Sequence, residues 1–243
     1  MRKDLERLAT LINEGKAKQL FTTDDPNVIQ VHYMNQATAL NGKRKEHIDD
    51  KGEVNNQIDS LIFEYLNHLG IATHFIKRLS ASDQLVKKMK MIPLEVVVRN
   101  YASGSFQRKF DTEYLQAFEQ PVQEFYYKSD RLDDPFINDS QIHALKIATP
   151  EQLSIMRDQV FKINQALIKL FAASGITLVD FKVEFGFDAD NNLILGDEIS
   201  PDSCRLVDAT THESLDKDVF RKHTGDVMDG YRTVLSRLEA TAK

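Results

Sequence analysis

The chain has 243 residues, of which 42% are hydrophobic and 28% are charged, and its formal net charge at pH 7 is −6. This composition is that of a globular protein of one large or two modest domains, and it excludes a disordered chain. The acidic total argues against a nucleic-acid binder, because neutralisation of phosphates by basic residues drives that kind of binding. Any basic cluster must be local, which suits a small anionic ligand better than a polymer.

Cysteine usage and hydropathy bear on the location of the protein. Cys204 is the only cysteine, so the chain forms no internal disulfide and fits a reducing compartment. The N-terminal sequence MRKDLERLATLINEGK is too charged for a signal peptide. No apolar run approaches the roughly 20 residues that a membrane span needs. We therefore expect a cytoplasmic protein with no membrane contact.

The first part of the chain predicts mainly strands. Residues 41–57 are rich in Gly, Asn and Asp and predict a long loop or a pair of turns. Pro93 interrupts a sheet ladder and suggests a division into domains of residues 1–90 and 91–243. The other predicted elements are, in chain order, a strand–turn–strand over 11–21, a strand over 28–34, a helix over 58–69 that ends at Gly70, and strands over 71–78, 84–89 and 94–99.

The second part predicts two long helices around a hairpin. The first helix spans 150–174, where Thr149 is a good N-cap, Pro150 occupies the first helical position and Gln152 completes a capping box. Its apolar residues recur at steps of three and four, as expected for a scaffold helix that faces the core. The remaining predicted elements are strands over 176–187 and 193–199 and a final helix over 218–240.

The strand over 176–187 is the most informative segment. Asp180, Lys182 and Glu184 alternate with apolar residues, so a strand would place the three charges on one face about 7 Å apart. The hairpin would bring Glu184 near Asp197, although the sequence does not set the register of the pairing. Two neighbouring carboxylates can hold Mg²⁺ beside nucleotide phosphates. The alternative is a solvent-exposed strand face of mixed charge.

Two further clusters suit anions. Lys16 and Lys18 follow Gly15 and would point the same way on a strand, which suits a triphosphate, although a surface lysine pair would give the same pattern. Arg99 leaves an apolar strand and is followed by small residues up to Ser105, which predicts an anion pocket or, alternatively, a turn with an incidental arginine. The segment 87–91, KKMKM, would line a nucleotide cleft or expose lysines at a sheet edge. The seven histidines show no metal-ligand spacing, and the Cys204 thiol is expected to be buried or incidental.

Five motifs occur in a fixed order over residues 11–231: EGKAKQLF, VVVRNYASGS, LVDFKVEFG, GDEISPDSCRLVD and LDKDVFR. Together they resemble the SAICAR synthetase family, the phosphoribosylaminoimidazole-succinocarboxamide synthases of purine biosynthesis. The resemblance implies an α+β fold of two domains, in which a β-rich N-terminal domain like the small lobe of a kinase precedes an α+β domain like part of the ATP-grasp fold. It implies ligation of L-aspartate to 5-aminoimidazole-4-carboxyribonucleotide (CAIR) with ATP and Mg²⁺, which gives SAICAR, ADP and phosphate.

The resemblance also assigns roles to residues of this sequence. The carboxylate needs activation before an amine can attack it, and an acyl phosphate is the expected route; the chain has no nucleophile motif, and none is required. By analogy with the family, a homodimer is the expected assembly. The assigned residues are Lys16, Lys18, Lys88 and Met91 for ATP, Glu184 and Asp197 for Mg²⁺, Arg99, Ser105, Arg205 and Lys217 for the ribonucleotide substrate, and Asp180, Lys182 and Asp202 as catalytic residues.

Two alternatives remain open at this level. A small-molecule kinase on the same scaffold would keep the lysines and the Mg²⁺ carboxylates, and a non-catalytic nucleotide-binding protein would have lost some of them. The sequence departs from the family at Gln36, where many members have an acidic residue, and at Val207, where Trp is frequent. Gln36 puts one loop contact in doubt, whereas Val207 is expected to affect packing.

Overall fold

The structure is a computed structural model that describes residues 9–39 and 44–241, with the Ala39 side chain left aside. Part of the charged N-terminal segment that argues against a signal peptide, and residues 41–43 of the predicted loop, lie outside the described residues. Within the described part of the chain, none of the helices combines the length and the apolar character that crossing a bilayer would demand.

The first half of the chain forms an antiparallel sheet in the strand order β1-β2-β3-β7-β6, a small hairpin, β4–β5, and one long helix, α1. The hairpin contacts α1 through β4, and α1 packs against β3, β6 and β7. These elements are β1 (Leu11–Glu14), β2 (Lys18–Thr22), β3 (Val28–Tyr33), β4 (Gln36–Ala39), β5 (Arg44–His47), α1 (Lys51–His68), β6 (Phe75–Arg78) and β7 (Asp83–Lys87).

The second half builds a larger antiparallel sheet in the order β10-β9-β8-β11-β12, with β13 also paired to β11. Helix α4 packs on β11, and α6 packs on both α4 and α1. The elements are β8 (Lys90–Tyr101), α2 (Gly104–Phe110), β9 (Ala117–Tyr127), a 3-10 turn (Asp130–Leu132), β10 (Phe136–Ile137), α3 (Asp139–Ala144), α4 (Pro150–Ala173), β11 (Ile176–Phe187), β12 (Leu193–Gly196), β13 (Cys204–Asp208), α5 (Asp218–Lys222) and α6 (Val227–Thr241).

The main core joins both halves. Its buried side chains come from α1, β8, β11, α4 and α6, for example Ile62, Val96, Val183, Leu167 and Val234. The α+β class is confirmed by these antiparallel sheets and their helices. The division into domains of residues 1–90 and 91–243 stays a prediction; residue 90 is the first residue of β8.

The predicted loop over 41–57 is wrong in its last part, because α1 begins at Lys51. The first two turns of α1 bury polar residues, including Asn55 and Asn56, which interrupt the apolar stripe of the helix near its start. Gly52 is not a turn residue. A Cβ at that position would lie 2.3 Å from the Tyr33 carbonyl oxygen, so glycine is required where α1 packs on the end of β3.

The predicted final helix over 218–240 is also wrong in detail. It is divided into α5 and α6, since His223 adopts a left-handed conformation with φ of 56° and stops the first helix. The predicted strand over 193–199 ends early, at Gly196, because Asp197 is left-handed with φ of 62°. The capping box of Thr149 and Gln152 at the start of α4 is confirmed.

Candidate active site

The charged face of β11 lies inside the protein. β11 pairs with β8 on one side and with β12 and β13 on the other, and Asp180 lies opposite Arg99 of β8. Asp180 is 4% exposed and Glu184 is 1% exposed. The alternative of a solvent-exposed strand face is therefore wrong for these two carboxylates. Buried charges need partners, and each carboxylate has them.

Glu184 and Asp197 share one cation. Glu184 lies opposite Gly196 in the hairpin, so Asp197 follows immediately after the paired residue. The Lys182 ammonium donates to Glu184 Oε1 at 2.9 Å and to Asp197 Oδ2 at 3.2 Å. Lys128 adds contacts of 2.7 and 2.6 Å to the two Glu184 oxygens, and Lys18 donates to Asp197 Oδ1 at 2.5 Å. The two carboxylates thus converge on a position that a cation can occupy.

The electrostatics of this cluster keep it ionised. Burial alone would raise the pKa of Asp197, but the ammonium groups of Lys18 and Lys182 hold that pKa well below its usual value. Burial would lower the pKa of Lys182, yet Asp197, Glu184 and Glu95 raise it well above the ordinary value. Lys182 and Asp197 therefore stay charged together at neutral pH.

A cleft of about 780 Å³ lies between the two sheets above this cluster. The loop after β1 contributes Lys16 to its lining, and Lys16 also pairs with Asp130 across the cleft at 2.7 Å. The sequence-predicted residues that line this one cleft are Lys16, Lys18, Lys88, Met91, Lys182, Glu184, Asp197, Asp202 and Lys217. Its size and its lysines suit a nucleotide with its phosphates.

A smaller cavity of about 230 Å³ adjoins it and is rich in arginine. Asp180 lies between two guanidinium groups, 3.0 Å from Arg99 Nη1 and 3.0 Å from Arg205 Nη1. Arg99 is 3% exposed and also donates to Glu124 at 2.7 Å and to Ser105 Oγ at 3.0 Å. Arg205 is the more accessible of the two arginines, with 22% of its side chain exposed. The cavity therefore presents positive charge that Asp180 and Glu124 only partly offset.

Gly104 places Arg205 against α2. Its φ is +56°, and a Cβ there would lie 2.6 to 2.9 Å from the Arg205 guanidinium atoms. Because an L side chain is disfavoured at this φ and would also collide with the guanidinium, glycine allows Arg205 to approach the start of α2. Ser105 follows directly and accepts a hydrogen bond from Arg99, but it lines neither cavity.

Asp202 stands where the two cavities meet, since it lines both. Its Oδ2 accepts from Lys51 at 2.5 Å and from Asn55 at 3.1 Å, while Oδ1 accepts from the Tyr231 hydroxyl at 2.6 Å. Lys217 Nζ is 3.6 Å from Oδ1. Asp202 is thus held by α1 and α6 together.

The sequence did not reveal several of these residues. Lys128 on Glu184, Glu124 on Arg99 and Lys51 on Asp202 come from segments without a motif, and each contact spans at least 25 positions. Arg221, which lines the smaller cavity, offered one signal: it lies four residues after Lys217, one helical turn away.

The structure shows the surroundings of Gln36 and Val207, the two residues that depart from the family pattern. Gln36 Nε2 donates to the backbone carbonyl of Lys16 at 2.5 Å, so this amide supports the loop that lines the cleft. Val207 is 2% exposed, pairs with Thr177 of β11 and lines neither cavity, and its effect on packing stays a prediction.

Comparisons with known proteins agree with this geometry. A family model described as SAICAR synthetase matches residues 11–238. This chain belongs to the SAICAR synthetase family. It is 62% identical to a phosphoribosylaminoimidazole-succinocarboxamide synthase of Pediococcus pentosaceus, over 94% of this chain and 95% of that relative.

Solved structures of SAICAR synthetases share the fold. The crystal structure of the synthase from Ehrlichia chaffeensis has a TM-score of 0.93 at 44% identity and covers 95% of this chain and 99% of its own. A SAICAR synthetase in complex with ADP has a TM-score of 0.90 at 39% identity, with 93% and 96% covered. The two-domain SAICAR synthetase-like fold implied by the sequence is confirmed, and the chain is an ATP-dependent ligase of purine biosynthesis.

Proposed function

We propose that the residues described above carry out the ligation of L-aspartate to the carboxylate of CAIR in the joined cavities, with ATP in the larger one. The observation that carries this proposal is the position of Lys182, whose ammonium bridges Glu184 and Asp197 and lines both cavities. A phosphoryl group that leaves ATP in the larger cavity and a carboxylate from the smaller one would meet there.

The nucleotide would lie along the first sheet. Lys16 and Lys18 reach the cleft from the loop and strand that follow β1, so their ammonium groups are placed to neutralise ATP phosphates. Lys88 and Met91 border the same cleft at the junction of the two sheets, and Met91 is 40% exposed there. Its thioether would contact the adenine.

The carboxylates fit Mg²⁺. Mg²⁺ in nucleotide sites is usually bound by one or two carboxylates together with phosphates and water, and Glu184 and Asp197 already converge on one cation. When bound, Mg²⁺ would neutralise charge on the transferring phosphoryl group. Lys182 would then donate to the phosphoryl oxygens or to the substrate carboxylate.

The smaller cavity would bind the ribonucleotide. Arg205 would contact the phosphate of the ribonucleotide. Arg99, which donates a hydrogen bond to Ser105, would form the adjoining wall of the cavity. Asp180, fixed between Arg99 and Arg205, would accept from the imidazole amine. Lys217 and Asp202 lie where the reacting carboxylate would enter the cleft.

The chemistry balances in two steps. A carboxylate oxygen of CAIR attacks the terminal phosphorus of ATP, which forms an acyl phosphate and releases ADP. The aspartate nitrogen then forms a bond to the acyl carbon, the bond from that carbon to the phosphate oxygen breaks, and the nitrogen gives up its proton. The protein holds the charges in place throughout, and no side chain becomes covalently bound.

An omission assay tests the proposal. ADP release is followed with CAIR, aspartate and ATP, and each substrate is left out in turn. We expect ADP to form at full rate only when all three are present. Equal ADP release without aspartate would refute the ligation and indicate a kinase, while no release at all would indicate a nucleotide-binding protein without activity.

We also propose a cytoplasmic location and a homodimeric assembly. Cys204 is 2% exposed, and burial raises the pKa of its thiol well above the usual value. A single buried, protonated thiol is compatible with the reducing conditions of the cytoplasm. A homodimer and the lack of nucleic-acid binding stay predictions. Sedimentation of the purified chain with and without duplex DNA would test both.

A further inference from the structure

Lys51 is an unusual lysine. It is the first residue of α1, in the first half of the chain, and its side chain is only 1% exposed. The neighbouring Gly52 fits directly against the Tyr33 carbonyl, so the backbone of Lys51 is fixed as well. A lysine is rarely buried to this degree unless a specific partner compensates its charge.

That partner is Asp202, whose two carboxylate oxygens each accept hydrogen bonds from a different helix. Lys51 and Asn55, one helical turn apart on α1, both donate to Oδ2. The Tyr231 hydroxyl donates to Oδ1 from α6. Because donors from two helices clamp the carboxylate from opposite sides, Asp202 is held in one orientation.

Stability alone does not account for this ion pair. Replacement of a buried pair by apolar side chains of similar size is often neutral or stabilising, so such a pair is weak evidence of a contribution to stability. Its effect on charge is clearer. Burial would raise the pKa of Asp202, but Lys217 and Lys51 hold that pKa well below its usual value. Asp202 therefore carries a permanent negative charge on the wall that the two cavities share.

That charge acts on Lys217. Lys217 Nζ is 3.6 Å from Asp202 Oδ1, too far for a hydrogen bond but close enough for attraction. Its ammonium lines the cleft, and burial lowers the pKa of Lys217 while Asp202 opposes that change. The position and the protonation of Lys217 thus depend on where Asp202 points.

We propose that Lys51 is a positioning residue for the ligation: it fixes Asp202, and Asp202 in turn holds the Lys217 ammonium toward the carboxylate of a substrate. Lys51 itself does not contact the substrate. The inference deepens the proposed function and rests on it, since it takes Lys217 to be a substrate-binding residue. It makes the first turn of α1 a support for the substrate-binding residues, which otherwise come from the second half of the chain.

The test compares Lys51→Met with Ile62→Val. Met keeps the length of the side chain and removes its charge, while Ile62 is a fully buried residue of the same helix that contacts neither cavity. For Lys51→Met we expect a KM for CAIR or aspartate raised about tenfold or more, as for loss of a charged contact, with the Kd for ADP changed less than about twofold. Ile62→Val should lower the thermal midpoint of unfolding and leave the KM for the substrates and the Kd for ADP as in the parent enzyme.

A double-mutant cycle tests the route through Asp202. Since Lys51 acts by way of Asp202, Lys51→Met combined with Asp202→Asn should lose no more than the worse single variant. Effects that multiply would overturn the inference, as would normal KM values in folded Lys51→Met, or a loss of ADP affinity equal to the loss for CAIR and aspartate.

A milder variant keeps the test decisive if Lys51→Met does not fold. Tyr231→Phe removes a single neutral donor from Asp202 Oδ1. It should raise the same KM by about threefold or more, which is less than the full value of a hydrogen bond to a charged acceptor because Lys51 and Asn55 still hold Oδ2; an unchanged KM would refute the positioning role. An inactive parent enzyme would instead refute the proposed function, so the two failures are distinguishable.

Discussion

Arg205→Ala separates substrate binding from chemistry. The guanidinium has ion pairs with Asp180 and Asp218, but Asp180 keeps Arg99 at 3.0 Å, and Asp218 keeps Arg221 at 2.7 Å. Truncation therefore leaves neither carboxylate unpaired, and the fold should tolerate it. What is lost is a charge-assisted contact to the substrate phosphate, worth about 1.5–3 kcal/mol, or roughly a 10- to 150-fold rise in the KM for CAIR.

The phosphate is remote from the reacting carbon, so kcat should change by less than about threefold. Initial rates of ADP release are measured against CAIR concentration at saturating ATP and aspartate. Arg237→Ala is the matched control, because Arg237 also pairs with an aspartate of β13, Asp208, at 2.7 Å but lines neither cavity. An unchanged KM in Arg205→Ala, or an equal rise in the control, would refute the phosphate role.

Three further variants probe other parts of the site. Glu184→Gln should lower kcat by about 100-fold or more and weaken Mn²⁺ binding followed by electron paramagnetic resonance, with an unchanged circular dichroism spectrum. Gly104→Ala should lower kcat/KM for CAIR about tenfold or more, because the new methyl displaces Arg205 at a cost comparable to one charged contact. His74→Gln should flatten the dependence of stability on pH in urea unfolding at pH 7, 6 and 5, because burial lowers the pKa of His74 to about 3.

The sign of the His74 effect follows from proton uptake. Below about pH 6.5 the unfolded chain binds a proton at this histidine that the folded chain refuses, so stability falls by up to about 1.4 kcal/mol per pH unit as the pH drops toward 3. Parallel slopes in parent and variant would exclude this contribution.

The other two variants have their own controls. The control for Gly104→Ala is Gly70→Ala, because Gly70 also has a positive φ, +77°, but has open space where the methyl group would lie. An equal loss of activity in Gly70→Ala would show that the effect at Gly104 comes from backbone strain alone. Glu119→Gln changes an exposed glutamate outside both cavities. Normal turnover in Glu184→Gln would remove Glu184 from the metal site.

Local patterns in the sequence were sufficient for β11 and for α4. Strict alternation over 176–187 marks a strand whatever surrounds it, and the capping box at Thr149 depends only on residues three positions apart. The start of α1 could not be found in this way, because Asn55 and Asp59 face the interior, where Asn55 donates to Asp202 and Asp59 accepts from the backbone N–H of Ile199. The apolar stripe of α1, which includes Ile58 and Ile62, is therefore recognisable only after the first turns of the helix.

The site shows the same limit. The family motifs name residues along single strands and loops, and all of the assigned residues except Ser105 line the two joined cavities. The groups that hold them in place, Lys128, Glu124 and Lys51, come from segments whose position depends on tertiary packing. The register of the hairpin belongs to this class too, since the left-handed backbone at Asp197 depends on the strands around it.

The bridge formed by Lys182 has a consequence for salt dependence. Glu184 and Asp197, which would hold Mg²⁺, already have the lysines as internal counterions, so binding of a metal–nucleotide complex would exchange one set of ion pairs for another, with the metal on the carboxylates and the ammonium groups on the phosphates. Few mobile ions from solution need to be released or taken up. We expect the affinity for Mg²⁺–ADP to vary less with ionic strength than attraction between exposed charges would.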